Sequence, residues 1–449
     1  MNKNSSRTKI VLAIISLIIT FFVWQQGLRE SLQRPSVSFD ISQKEIEIID
    51  LAIPAIPKEL KNIFAESPRE DMIKNLSKVS FDELTERNKL IWIILKNDRE
   101  KTNDLDINVF NNFEYKKAAE YLQISNLDKS FKPNIDLISD FRNDKYLLNL
   151  LTEKFNLNSD IITYNFHRLM LLKILIIRTI PIFSILFGSI LVLKAFVNII
   201  RSRKINWKEY KPLNLDLIDM VLLISGGFVV LGEVVSPVLS ITIVELFSKN
   251  FAPEITQSLK IFFGYIFMAI PPLFIIYQQI KFINKQYSFK KDYFQFNYKP
   301  LFETLKLGFK GWIMIIPFVL IISLLMDLII KNQAGSNPLL EIVLNNNNYF
   351  AFILLFITTT IIAPLFEEII FRGVLLPVLS RDFGEIIGIL ISSFVFALAH
   401  LSLNELPPLF VLGIGLGITR MVSGRLLSSV FMHSLWNGLT FVNLFLLRT

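Results

Sequence analysis

The chain contains no cysteine, so disulfides, thiolate metal sites and a cysteine nucleophile are excluded together. Charge is scarce as well. Only 19% of the 449 residues are Asp, Glu, Lys or Arg, against 52% hydrophobic, and the mean hydropathy is +0.47. These values describe a polytopic membrane protein rather than a soluble globule. Histidine occurs three times and never as His-Glu-x-x-His, which excludes a soluble-type zinc protease. Gly-x-Ser-x-Gly is absent, and no serine stands at a convincing sequence distance from the histidines, so a serine hydrolase mechanism has no support. Also missing is a small-x-small cleavage pattern after the first apolar run, 10–28, which follows Lys3, Arg7 and Lys9. Residues 1–28 therefore read as an uncleaved signal anchor with its N-terminus in the cytoplasm.

What charge there is lies unevenly. The net charge is +8 overall, but residues 29–168 come to −3 and the remainder to +11. A basic excess among hydrophobic spans is how positive-inside loops look, and it makes the lipid bilayer, not nucleic acid, the partner. Residues 29–168 are polar and rich in Asn, Asp and Lys, and they read as a separate, mostly helical domain. Ser42-x-x-Glu45, Ser67-Pro68-x-Glu70 and Ser80-x-x-Glu83 each place a capping hydroxyl before an apolar-periodic stretch. The run 90–95 is too short to cross a membrane; it continues the helix expected from near Ser80 and forms this domain's core. His167, at the end of the domain, reads as an interfacial side chain rather than a ligand.

Eight further apolar segments follow, near 172–199, 215–246, 260–280, 310–330, 349–376, 385–403, 406–422 and 426–447. Arg201, Arg203, Lys204, Lys208 and Lys211 crowd one connection. Lys281, Lys285, Lys290, Lys291, Lys299, Lys306 and Lys310 crowd the next but one. Both should be cytoplasmic, and the loops between are poor in Lys and Arg. The expected fold is an all-α polytopic membrane protein of about nine transmembrane helices, with a helical extramembrane domain between the first and second. Residues 29–168 then lie outside the cytoplasm, and 169–309 are accessory spans with basic cytoplasmic loops. Gly384 with Gly388, and Gly413 with Gly417, read as close helix packing.

The stretch Pro364-Leu-Phe-Glu367-Glu368-Ile-Ile-Phe-Arg372-Gly373 sets two carboxylates and a guanidinium inside one of these runs. An ionisable side chain at membrane depth costs ~2.5–3.5 kcal/mol by the mildest scale, so such a cluster reads as a functional site with partners. Glu368 and Arg372 are four apart and can pair on one helical face. Glu367 points elsewhere and stays free, suited to take a proton from water. A structural ion pair locking two helices is the competing explanation. Pro364, three residues before Glu367, removes a donor, frees a carbonyl and kinks the span beside the site. The other two histidines occur as Phe396-Ala-Leu-Ala-His400 and His433-Ser-Leu-Trp-Asn437, neither of them expected in a loop. At 1.5 Å per residue, Glu367, His400, His433 and Asn437 fall ~15, ~20, ~11 and ~17 Å from the cytoplasmic ends of their spans. Four polar groups on three helices thus share a band near the middle of a ~30 Å hydrocarbon core. Together they could bind a divalent metal or polarise water directly, and either would serve amide hydrolysis.

Glu-Glu-x-x-x-Arg, then Phe-x-x-x-His, then His-x-x-x-Asn, on three successive polar-bearing spans, resembles the CPBP family of intramembrane proteases. These are the CAAX-processing and bacteriocin-processing enzymes, also called the Abi family. The resemblance covers roughly 310–447, which it marks as a catalytic transmembrane core. It implies an intramembrane endopeptidase cutting a membrane-associated protein or peptide, with Glu367 activating water and Glu368 and Arg372 supporting it. His400, His433 and Asn437 would polarise the scissile carbonyl, or hold the oxyanion or a metal. A divalent metal such as zinc on Glu367, His400 and His433 stays open. The family name points to prenylated CAAX substrates, yet a Cys-free, Asn- and Lys-rich chain with a signal anchor looks bacterial, at home in the cytoplasmic (inner) membrane. Substrate and oligomeric state are left open. Two other readings compete: a proton-coupled transporter with Glu233, Glu367, Glu368 and the histidines as relay, and a catalytically silent scaffold or immunity protein. A carrier of this size usually shows two similar halves, and here the paired polar motifs lie only in the last spans.

The orientation is testable by itself. A cysteine at Lys101 should react with an impermeant thiol reagent in intact cells, and one at Lys204 should not. Labelling at 204 with protection at 101 would invert the topology.

Overall fold

Long apolar stretches in a polar-poor chain have one low-cost backbone solution in a bilayer, the helix, which satisfies every amide within its own segment. The computed structural model describes all residues except 1–2, 35–36, 61–66, 101–106, 128–130, 132, 134–139, 158–161, 203–204, 209, 211, 213–214, 287–293, 297–298, 331–337, 347 and 449. Lys101 and several basic loop residues, Lys204 among them, thus lie outside the described residues. Those described are helical or irregular, with no strand among them. In chain order the helices are α1 (Lys3–Gln33), α2 (Ser38–Ala52), α3 (Pro68–Leu76), α4 (Glu86–Glu100), α5 (Phe113–Leu127), α6 (Lys145–Lys154) and α7 (Tyr164–Ser202). There follow α8 (Leu217–Phe247), α9 (Pro253–Gln286), α10 (Leu301–Ile330), α11 (Pro338–Asn345), α12 (Tyr349–Phe383), α13 (Glu385–Leu398), α14 (Leu406–Ser423) and α15 (Leu426–Leu446).

The protein is an all-α polytopic membrane protein. Seven of its described helices, α1, α7, α8, α9, α10, α12 and α14, are long and apolar enough to cross a membrane. The remaining two expected spans differ for physical reasons. Helix α13 has 14 residues, short of the ~20 that a bilayer core asks for. Helix α15 has 21, but His433, Asn437 and Asn443 dilute its apolar character.

The chain divides into two units. One comprises Met1–Val37 and Ile182–Asn443, the other Ser38–Pro181 and Leu444–Thr449. In the first, α1 packs on α8, α8 on α9, α9 on α12, α12 on α13, α13 on α14, and α14 on α10. Its core is aromatic at the centre: Phe228 of α8 meets Phe366 and Phe371 of α12 at 5.8 and 5.7 Å, and Phe371 meets Phe396 of α13 at 5.4 Å. Gly388 and Gly413 permit the close approach expected of them, since an added Cβ would run into Ser380 at the first and meet Ser393 at 2.9 Å at the second. Gly384 does something else. It has open space around it and φ +85°, so it makes the sharp reversal between α12 and α13 that other residues rarely adopt.

In the second unit, α2 packs on α3 and α6, and α4 on α5 and α6. The run 90–95 is its core, with Leu90 and Ile91 fully buried beside Ile48, Leu51, Met72, Tyr146 and Leu147. Of the three expected caps one forms: Ser67 accepts from the Glu70 N–H at 3.4 Å. Ser42 lies inside α2, which starts at Ser38. Ser80 precedes a single 3₁₀ turn without capping it, and α4 begins only at Glu86, where Thr85 accepts from the Asn88 N–H at 3.3 Å. His167 Nδ1 bonds the Leu51 carbonyl at 2.7 Å.

A buried ion cluster ties α2, α4 and α6 together. Arg87 donates to both oxygens of Glu47 (2.7 and 3.1 Å) and to Asp144 (3.0 Å), and Asp144 also caps α6 by accepting from the Leu147 N–H. Burial opposes ionisation of Glu47, but the Arg87 guanidinium outweighs it and holds the carboxyl below the usual carboxylate range. Asp144 is held low in the same way, with help from the Leu147 N–H. Asp50 goes the other way, because burial outweighs its Arg69 partner. Depressed carboxyls contribute stability that is complete above their unfolded pKa of ~4 and lost as the pH falls through their folded values. Hydrogen exchange of α2, α4 and α6 in the full-length protein should accordingly show protection that is retained at pH 5–7 and falls below about pH 4. Arg87→Ala should cost ~3–5 kcal/mol at neutral pH and flatten the acid loss. An acid profile identical to that of the parent would mean that this cluster does not set it.

Candidate active site

Helix α12 supplies the carboxylates, and its backbone is not regular. It runs in the wider π-helical register over Thr358–Ile362 and again over Ile369–Leu375, with Ala363–Glu368 between as ordinary α-helix. Such wide turns expose backbone groups and recur at functional sites. Pro364 accounts for the first of them. In an i→i−5 register its N–H would serve the Thr359 carbonyl, and proline has none. That carbonyl instead accepts from Asn437 Nδ2 of α15 at 2.9 Å.

Glu368 and Arg372 are fully buried and pair at 2.8 Å. The other end of the guanidinium donates to the Gly413 carbonyl at 3.1 Å, and its central carbon lies 4.3 Å from the Phe396 ring centre. The pairing is thus completed by a backbone dipole and an aromatic face, the partners a guanidinium needs when water is excluded. Glu368 Oε1 also meets Nδ1 of His433 at 3.1 Å. Since a carboxylate only accepts, His433 carries its proton on Nδ1, and the lone pair of its neutral form is on Nε2.

His400 has the same polarity for a different reason. Its Nδ1 lies 2.8 Å from the Phe396 carbonyl, another pure acceptor, so its Nε2 bears the lone pair. The sequence places this residue in a helix, and the structure corrects that: α13 stops at Leu398, and His400 stands in the turn beyond. The helix ends because Leu401 takes φ +50°, a conformation rare for leucine. Helix α1 holds it there. Arg34 donates to the Leu401 carbonyl at 2.8 Å, and Ser31 accepts from the Leu403 N–H at 3.1 Å.

The two free Nε2 atoms converge on one oxygen. Glu367 Oε2 lies 3.9 Å from His433 Nε2 and 4.0 Å from His400 Nε2, and it is buried without a hydrogen-bond partner among the described residues. Three acceptors therefore face each other across gaps too long for direct bonding. Two bonds of ~2.8 Å meeting at roughly a right angle span such a gap, so a water or another hydrogen-bond donor fits between them. One carboxylate oxygen and two imidazole nitrogens also suit a divalent metal in donor kind, with Glu368 orienting His433 from behind. Among the described residues no group of three such side chains stands arranged to hold a metal ion directly.

Glu367 and His400 open onto a cavity of about 410 Å³, lined also by Phe228 and Glu233 of α8, Tyr265 of α9, and Leu339 and Ile342 of α11. His433 and Asn437 are not among the lining residues. Of the six expected site residues, the structure gathers Glu367, Glu368, Arg372, His400 and His433 into one cluster, and ties Asn437 to the α12 backbone. Sequence reasoning misses Glu233 and Tyr265 as parts of this site. Glu233 is visible as an acid in a span, but it reads only as a carrier's relay. Tyr265 follows Phe262 and Phe263 and looks like one more lipid-facing aromatic.

Residues 349–439 match the family model described as Type II CAAX prenyl endopeptidase Rce1-like. Residues 38–172 match a domain of unknown function, DUF8675. No curated protein and no solved structure matches the chain. The first match holds all six expected site residues and stops short of α1, α8 and α9.

The two carboxylates should respond differently to substitution. Arg372→Ala leaves Glu368 buried and unpaired, at a cost of ~3–5 kcal/mol, and should lower folded yield in detergent. Glu367→Gln removes no bonded partner and should purify like the parent. If Arg372→Ala expressed normally while Glu367→Gln unfolded, the two roles would be exchanged.

Proposed function

We propose that the protein is an intramembrane endopeptidase that hydrolyses a peptide bond of a membrane-associated protein or peptide. The observation that carries this reading is the unpartnered Glu367 Oε2 facing two imidazole lone pairs at 3.9 and 4.0 Å. In the proposed reaction, Glu367 takes a proton from water as the water oxygen attacks the carbonyl carbon, and the carbonyl π pair moves onto its oxygen. One imidazole lone pair, that of His400 or His433, accepts the second O–H of that water and aims it. As the tetrahedral species collapses, the C–N bond breaks and Glu367 returns its proton to the departing amine. Tyr265, in the same cavity, is a hydroxyl donor available to the developing oxyanion. Asn437 acts as a positioning residue, fixing α15 to the wide turn before Glu367. A divalent metal held by Glu367, His400 and His433 would add Lewis-acid polarisation of the carbonyl and of the water. The membrane is proposed to be a bacterial cytoplasmic (inner) membrane, with the N-terminus cytoplasmic.

A carrier would need its acidic groups along a path with two accessible ends, whereas the polar groups here converge on one oxygen. The deciding experiment compares membrane proteomes of cells carrying the parent and Glu367→Ala. One or more membrane peptides should accumulate uncleaved in the variant, and purified parent should cleave them with Glu367→Gln reduced at least ~100-fold. Identical peptide profiles, with no cleavage by the purified parent, would overturn the reading.

A further inference from the structure

Glu233 has no part in the chemistry above, yet it shares the cavity with Glu367 and His400. It sits in the π-helical stretch Leu222–Val235 of α8. One of its oxygens accepts from Trp24 Nε1 of α1 at 3.4 Å, and among the described residues no lysine or arginine pairs with it. Around it the lining is mostly apolar, with Phe228, Ile261, Met268 and Leu401 among the walls. A carboxylate in apolar surroundings with one long hydrogen bond is under-satisfied. Of the neighbouring groups, Glu367 and the His400 Nε2 are acceptors too, and Tyr265 offers a hydroxyl without a charge. Among the described residues the lining holds no lysine or arginine, and a ligand that carries one would complete it.

We infer that Glu233 forms a subsite for a basic side chain, lysine or arginine, close to the scissile bond of the substrate. This rests on the endopeptidase reading for the identity of the ligand. Glu367 has to stay available to water, which leaves Glu233 as the carboxylate free to pair with substrate. A lysine or arginine side chain brings both the charge and the N–H donors to such a carboxylate. A site built to pair a charge discriminates far more strongly than an apolar pocket does, because the analogue lacking the charge leaves a buried group unpaired.

The test uses full-length protein in nanodiscs and a set of otherwise identical membrane-inserting peptides bearing Lys, Gln or Glu at successive positions. The parent should prefer Lys over Gln at one position by at least ~10-fold in kcat/KM. Glu233→Gln, which keeps an acceptor for Trp24, should remove most of that ratio, and Glu233→Lys should turn the preference toward Glu. An unchanged ratio in Glu233→Gln, or a parent with no preference at any position, overturns the subsite. A second arm does not require turnover. Dodecylguanidinium binding is measured by calorimetry against neutral dodecanol, with protein-free nanodiscs subtracted. The guanidinium should bind the parent at least ~10-fold more tightly than it binds Glu233→Gln, with dodecanol indifferent to the substitution. Equal guanidinium binding to both overturns the proposal even if peptides are cut. Selective guanidinium binding with no peptide cleaved would keep the cation subsite and reject the endopeptidase reading.

Discussion

Arg372 carries a full charge with no exposed surface, and its neutralisation by Glu368 at 2.8 Å sets the conditions for the rest of the site. Removing two ions from water is costly, so the pair persists only with further partners. The Gly413 carbonyl and the Phe396 face serve the guanidinium, and His433 serves the carboxylate. Each partner comes from a different helix: α14, α13 and α15. The ion pair thus fixes where three helices stand relative to α12. It also fixes the proton on His433 Nδ1, which turns the Nε2 lone pair toward Glu367. An ion pair that holds the helices also orients His433, so the structural reading and the proposed catalytic support do not exclude each other.

Backbone irregularity supplies what side chains alone could not. Two wide turns flank Glu367 and Glu368, and a third lies on α8 around Glu233. In a regular helix the Thr359 carbonyl would be bonded internally. The register change and Pro364 together free it for Asn437, so a backbone defect becomes an interhelical tie. The left-handed Leu401 has the same logic. It stops α13 in time to put His400 in a turn, and α1 holds the strained residue with Arg34 and Ser31.

The convergence of Glu367, His400 and His433 was legible because depth along a helix is a one-dimensional quantity that residue number measures directly. The i,i+4 pairing of Glu368 with Arg372 was legible for the same reason. Other features were not, because they depend on what lies opposite. Ser42 and Ser80 carry capping chemistry, but the chain enters its helices at Ser38 and Glu86, and a local motif cannot choose among competing starts. Gly384 has the spacing of a packing glycine, and only the φ of the reversal separates that role from a turn. His400 reads as helical because nothing near it in sequence announces a positive φ at a leucine. Asn437 shares a face with His433, yet its partner is a carbonyl freed by a proline 73 positions earlier in the chain.

Helix α1 illustrates the limit most clearly. Its charged start and apolar run describe an anchor, and an anchor needs no partners. In the structure it donates from Trp24 to Glu233, bonds Ser225 through Thr20, and restrains the turn that carries His400. One helix therefore touches both walls of the cavity, the wall that positions an imidazole and the wall that presents the second carboxylate. The converging groups Glu367, His400 and His433 come from α12, the turn after α13, and α15, whereas Glu233 and Tyr265 come from α8 and α9. Groups proposed to move protons must hold geometry to a fraction of an ångström, and Glu367 and His433 adjoin a buried ion pair that braces them. On the opposite wall the Glu233 side chain is held by one long hydrogen bond and apolar contact. That side chain can change without disturbing the ion pair, so in the proposed reaction substrate selection could vary there while the groups around Glu367 stay fixed.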